Sequence, residues 1–414
     1  MIQLQRFKER VIRAVKRRPR FFIAILVTVQ VLCLCCAFVV SAQGHQTREN
    51  SATASESDTN AVLADRLSEK IACVGLSRSS WLYELISAEY PDEKLDRYDS
   101  EAVFESAVKH GILSYYTDTE IVQPLTRRFV CSTMVKAFGY ELPQDAERPS
   151  DVSEYDDYMT IAAYYGFFPD RIDRIYPEAR ITAEEFANLR NELKYRRILK
   201  GKTVLTFGDS IMHGSGNNND GMGSMIAAKY GMNCTDYSVP GATMGVYNKH
   251  GHIPDQIRQA KSEHRTADVI LLNGGTNDMV FTKIGNIAEG FDMSKTDETD
   301  YSGGFEKTMW MIRKYWGDVP VVYVRSHNMA LAADDKEKKY GERGIELAKK
   351  WSAVTIDLYN DSELNTEDRV MNGLYTSVDT RKKVLTHDSI HPTALGYARY
   401  YLPPLAQALM KIFG

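Results

Sequence analysis

A chain of 414 residues is two to three times the usual domain length, and 43% apolar with 26% charged residues is ordinary globular composition, which excludes a wholly disordered or fibrous protein. The net charge of −4 is unevenly spread: residues 1–20 carry eight Lys/Arg against one Glu, residues 21–42 carry none, and removing that +7 leaves −11 on the rest. An acidic bulk argues against a nucleic-acid binder, which needs a basic face for phosphate, and six cysteines at this length argue against a disulfide scaffold.

In chain order, the basic segment 1–20 comes first and is followed by FFIAILVTVQVLCLCCAFVV at residues 21–40, where only Thr28 and Gln30 are clearly polar. A helix of that length spans about 30 Å, the thickness of a bilayer core. Basic flanks stay on the cytoplasmic side, so residues 21–42 are expected to be a single-pass anchor with the amino terminus inside and the remaining chain outside. The alternative is a signal peptide cut after Ala42, where Val40-Ser41-Ala42 resembles a cleavage site, giving a secreted protein. Residues 43–62 are polar and nearly free of large apolar groups, and read as a flexible linker. Of the exported cysteines, Cys73 and Cys131 either pair or stay as free thiols.

Residues 63–198 read as a helical domain containing a degenerate repeat of about 55 residues. In both copies an apolar helix ends at a glycine (Gly111, Gly166), suited to a left-handed cap. A turn and a proline (Pro124, Pro177) follow, and then a threonine (Thr126, Thr182) opens an amphipathic helix. Thr182 with Glu185 three residues on is a capping box. The pattern resembles the S-layer homology repeat, although TRRF at 126–129 and TAEE at 182–185 each keep only part of that family's second-helix motif. The resemblance implies non-covalent binding to cell-wall polysaccharide through residues 101–195. A helical spacer without a ligand is the other reading.

From residue 200 onward, short β-rich runs alternate with helical patterns. Strands are expected at 202–207, 233–239, 268–272, 320–325 and 353–359, and helices at 222–230, 253–262, 305–315, 334–350 and 394–412. Such alternation implies an α/β fold with a parallel sheet covered on both faces and a site at the carboxyl ends of its strands.

That rim carries nucleophilic chemistry. Ser210 follows the first strand in Gly208-Asp209-Ser210 and needs a base; His391 is the candidate, with Asp388 three residues earlier to hold its tautomer. The backbone N–H groups of Ser210 and Gly241 and the side-chain amide of Asn277 are candidates for an oxyanion hole. Asp209 reads as a cap of the turn and not as the triad acid. His213, His250, His252, His327 and His387 have no metal-ligand spacing, so neither a metal nor a cofactor is expected; His213 and His327 either line the pocket or are structural. The segments 217–223 and 279–304 read as walls or lids.

These blocks resemble the SGNH (GDSL-type) hydrolases: Phe207-Gly208-Asp209-Ser210-Ile211, Gly241 in Val239-Pro240-Gly241-Ala242-Thr243, Gly275-Thr276-Asn277-Asp278, and Asp388-x-x-His391-Pro392. The resemblance covers residues 200–414. It implies a three-layer α/β/α, flavodoxin-like domain with a five-stranded parallel sheet of order 2-1-3-4-5, and a serine esterase, lipase or acyl-transfer activity without metal. With export, the expectation becomes a membrane-anchored serine esterase taking O-acyl groups, above all acetyl, from an acylated carbohydrate. The competing expectations are a glycan O-acetyltransferase, a lipase or thioesterase for longer acyl chains, and an inert wall-binding protein.

Overall fold

The computed structural model describes residues 76–144, 146–168, 174–247, 251–329, 335–379 and 386–414, all within one compact unit. The expected membrane segment 21–42, the linker 43–62 and Cys73 lie outside the described residues. Among the described residues, no helix is long and apolar enough to cross a membrane. Cys131 is a buried free thiol.

The first part is helical, with helices at Arg78–Glu89, Ser100–Lys109, Asp118–Ile121, Arg127–Phe138, Asp157–Tyr164 and Ala183–Leu199. Side-chain caps start them: Asp99 accepts from Ala102 N, Thr126 from Phe129 N, Asp156 from Met159 N, and Thr182 and Glu185 form the reciprocal capping box. The repeat is visible in the hydrogen bonding. Gly111 and Gly166 both have positive φ (70° and 66°), and Ile112 N and Phe167 N donate to Ala107 O and Ala162 O in matching closures. The two copies then lie against each other: Ile181 N donates to Leu125 O, Arg127 N to Ala179 O, and the buried Arg127 guanidinium to Glu185 Oε1. Trp81, Leu82, Leu85, Ile86, Phe104, Val130 and Met134 fill the core beneath them. Each such large apolar side chain contributes roughly 1.5–3 kcal/mol by leaving water.

The second part holds a five-stranded, all-parallel sheet in the order β2-β1-β3-β4-β5, with β1 Thr203–Phe207, β2 Asn233–Asp236, β3 Val269–Asn273, β4 Val321–Arg325 and β5 Val354–Asp357. The strand order matches the expectation. All of β3 and β4 is buried, as is β1 beyond Thr203, whereas edge strand β2 is partly exposed along its whole length; this explains why β1, β3 and β4 read as continuous apolar runs. Helices Ile253–Ser262, Tyr301–Trp316 and Lys336–Lys350 pack in succession, and Met222–Tyr230 packs with Leu402–Phe413 and with the helical part.

Three expectations need correction. The segment 279–304 is not loop throughout: Asp300 caps a helix beginning at Tyr301, so Gly303 and Gly304 are helical, and a Cβ on Gly304 would collide with Met244 O. The helix expected at 394–412 is interrupted, with a π-helical turn at Tyr397–Tyr401 before Leu402–Phe413. Residues between the strand expected at 353–359 and the helix expected at 394–412, where no element is expected, form an antiparallel hairpin, β6 Thr376–Asp379 with β7 Thr386–Pro392.

Candidate active site

The first half of the site is a backbone construction. At the end of β1, Gly208 passes so close to its neighbours that a Cβ would lie 2.7 Å from Met212 Cβ and 3.0 Å from Asn273 O. Gln256 clamps this glycine from the side, its Oε1 accepting from Gly208 N (2.9 Å) and its Nε2 donating to Gly208 O (2.8 Å). Asp209 then caps the one-turn helix Ser210–His213 by accepting from Ile211 N (2.9 Å), as the sequence suggests. It is fully buried; that burial pushes its carboxyl up to about 6, against the lowering effect of the Ile211 N–H and of His391. Ser210 stands at the start of this turn with 7% of its surface exposed.

The second half is delivered by the hairpin. His391 Nε2 lies 2.8 Å from Ser210 Oγ, and His391 Nδ1 lies 2.7 Å from Asp388 Oδ2. Asp388 bends the chain back on itself, Oδ1 accepting from Ile390 N and His391 N at 3.0 Å each, while Ser377 Oγ donates to Oδ2. The turn needs a left-handed residue, and Ser389 takes φ 65°, held by Asn372 Nδ2 donating to its Oγ and Thr366 Oγ1 donating to its carbonyl. Burial would raise the Asp388 carboxyl, but hydrogen bonds from the His391 side chain and from the His391 and Ile390 backbone outweigh it and bring it down to about 2.

The expected oxyanion donors surround the serine turn from two further loops. Gly241 has φ 81°, and Val239 N donates to Gly208 O, tying its loop to the nucleophile turn. The backbone N–H groups of Ser210 and Gly241 find no acceptor among the described residues. Asn277 Nδ2 donates to Ala242 O (3.0 Å), so one amide hydrogen joins the two loops and one is left for a ligand. Asp278, for which the sequence offers no role, is the fastener here. It is fully buried and accepts from Met244 N and Gly245 N (2.9 Å each) and from Thr282 Oγ1; burial pushes its carboxyl up to about 7. Beside the same turn a recess of about 30 Å³ opens among Gly275, Thr276, Tyr323, Arg325, Glu337 and Tyr340.

Neither His213 nor His327 joins the Ser210–His391–Asp388 series, and His250 lies outside the described residues. His327 is fully buried with Nδ1 2.6 Å from Tyr401 Oη, and burial lowers it to about 4, so it is neutral. His213 lies 3.3 Å from Asp236. Gln256 and Asp278 are the positions that motif reading leaves without a task. Gln256 sits in an amphipathic helix like any polar residue, and only its distance to Gly208 gives it meaning.

Residues 206–399 match the family model described as GDSL-like lipase/acylhydrolase. The comparison with curated proteins finds no match. Among solved structures, a Lactobacillus plantarum protein is 19% identical over 51% of this chain and 96% of its own, with a TM-score of 0.40. A carbohydrate acetylesterase from Sinorhizobium meliloti is 16% identical over 51% of this chain and 100% of its own, with a TM-score of 0.35. The aryl esterase of M. smegmatis is 15% identical over 51% of this chain and 100% of its own, also with a TM-score of 0.35. With the four motif blocks assembled at the carboxyl ends of a parallel sheet, residues 206–399 belong to the GDSL-like lipase/acylhydrolase, or SGNH, family of hydrolases.

Proposed function

We propose that the protein is an exported, membrane-anchored serine esterase that removes O-acyl groups, above all acetyl, from carbohydrate or cell-wall polysaccharide. One observation carries the esterase reading: Ser210 Oγ, His391 and Asp388 form an unbroken hydrogen-bonded series at 2.8 and 2.7 Å. In this reading Ser210 Oγ attacks the ester carbonyl while His391 Nε2 takes its proton, and Asp388 holds Nδ1–H and balances the imidazolium charge. Negative charge on the carbonyl oxygen is received by Ser210 N–H, Gly241 N–H and the free hydrogen of Asn277, each such donor being worth about 3 kcal/mol in a site shielded from water. His391 then gives the proton to the departing sugar hydroxyl, and water, activated by the same imidazole, releases the acyl group from Ser210.

A short acyl group on a polar carrier rests on the sequence, in which neither segment 217–223 nor segment 279–304 is long and apolar enough to hold an extended acyl chain. Anchoring rests on the +7 segment and the apolar run at 21–40, and wall binding through residues 101–195 rests on the repeat. Ser210→Ala is expected to lower turnover of p-nitrophenyl acetate by about 10⁴-fold or more with the protein still folded. Unchanged turnover would remove Ser210 from the mechanism. An ester series from acetyl to octanoyl tests the acyl length: activity rising with chain length would overturn the acetyl preference.

A further inference from the structure

The loop that follows the nucleophile helix touches both halves of the site. Gly214 N and Ser215 N both donate to Ser210 O (3.0 Å each), so the loop hangs from the serine itself. Two residues on, Gly216 lies against the hairpin: a Cβ there would be 2.7 Å from His391 Cβ and 2.6 Å from Pro392 O. The loop then closes on itself, Asn217 N and Asn219 N donating to Gly214 O (2.8 and 2.9 Å) and Asp220 N to Asn217 O (2.8 Å), with left-handed conformations at Asn218 and Asn219 (φ 50° and 64°).

A further hold, which fixes this closed loop against the rest of the molecule, comes from the helical part. Tyr164, the last residue of helix Asp157–Tyr164 and 6% exposed, sets its hydroxyl 2.5 Å from Asp220 Oδ2. The same hydroxyl accepts from Asn217 Nδ2 (2.9 Å), whose second hydrogen goes to Asp220 O (2.8 Å). Burial keeps the phenol protonated and therefore a donor to Asp220. Both ends of the turn 217–220 thus meet at one hydroxyl from another region of the chain. The region cannot slide away from it either, because Gly166 packs against Ala398 in the π-helical turn that follows the hairpin.

We propose that Tyr164 is a positioning residue for His391, acting through the loop 214–221, so that the helical region is part of what sets the alignment of the Ser210–His391 pair. The inference rests on the esterase reading and adds a residue outside the segment matched to the hydrolase family. Its action is geometric: with the loop fixed, Gly216 lies against His391 Cβ, His391 O and Pro392 O, and so holds in place the stretch of chain that carries the imidazole to Ser210 Oγ. A displacement of about 1 Å at such a pair lowers turnover by up to about 10²-fold.

The test uses the full protein, p-nitrophenyl acetate and a fluorophosphonate, which reacts with an activated serine whatever its natural substrate. In that labelling the Ser210 Oγ–P bond forms, fluoride departs and the serine proton passes to His391. Tyr164→Phe keeps the ring and removes the hydroxyl. It is expected to lower kcat about tenfold with KM within twofold, and to slow labelling by a similar factor. A merely structural loss would reduce the fraction of molecules that label and leave the rate of the rest unchanged. Asn217→Ala cuts the same junction from the loop side and decides the matter should Tyr164→Phe fail to fold; combined, the two are expected to give no further loss. Tyr155→Phe, at an 87% exposed site, is the control. Hydrolysis and labelling at unmodified rates in Tyr164→Phe, or in Asn217→Ala where the first is unfolded, overturn the inference and leave the esterase reading standing. An unmodified protein that neither hydrolyses nor labels overturns both.

Discussion

The two halves of the candidate site are built by different means. The serine turn hangs from the end of a sheet strand: a glycine too crowded for a side chain, with Gln256 clamping both its peptide groups and Asp209 capping the turn. The histidine hairpin is held by side chains, with Asp388 Oδ1 taking two backbone N–H groups and Asn372 and Thr366 gripping Ser389. A strand end in a parallel sheet fixes its own geometry through the neighbouring strands, whereas a two-stranded hairpin is only marginally stable alone and needs added contacts. The base must therefore be positioned by many weak links and the nucleophile by a few stiff ones.

The largest break in that contrast is expected from Asp388→Asn. The amide leaves His391 without an anionic partner and permits the wrong tautomer, so kcat is expected to fall by about 10³-fold or more, measured on p-nitrophenyl acetate. The carboxylate in the unmodified protein stays charged to low pH: its stabilising contribution is complete above about pH 4 and is lost as pH falls toward about 2. On the serine side, Gly208→Ala is expected to push the turn away from Met212 and Asn273 and to lower kcat about 10²-fold, because one stiff link carries the placement. A kcat unchanged in Gly208→Ala would show that the turn relaxes freely and would erase the distinction between the halves.

The smallest expected effect is on stability. Asp209 is raised by burial from the usual 3.8 to about 6, so the folded state prefers its neutral form. Its contribution is therefore complete below about pH 4 and is lost as pH rises through about 6. Asp209→Asn keeps the acceptor for Ile211 N and removes the buried charge. The variant is expected to match the unmodified protein in urea unfolding near pH 4 and to exceed it above pH 7, by up to about 3 kcal/mol. Equal stability at both pH values would mean that the carboxylate finds its compensation elsewhere.

How far the sequence foretells this follows the same division. Strands β1, β3 and β4 are largely apolar runs ending in turn residues, so their existence and motif-bearing ends could be read directly, while the strand order came from the family resemblance; Thr182 and Glu185 likewise announce their helix. Strand ends were off by one to three residues, as at β2, which stops at Asp236 and not at Val239. The hairpin escaped because THDSIHP has no alternation to mark it, its polar residues serving as fasteners. Gly303 and Gly304 read as loop because glycine signals a break; here the missing side chains let the helix pass close to Asp297 O and Met244 O. Asp388 and His391 were legible by spacing, yet Gln256, Asp278 and Tyr164 were not, since each acts on a distant backbone or loop and leaves no local pattern.

Ser210 and His391 are separated by 181 positions along the chain. A polypeptide emerging from the ribosome therefore presents its serine long before the imidazole that activates it, and the last fifth of the hydrolase region must be released and folded before the two meet. Until then the nascent molecule carries a hydroxyl no more reactive than any other.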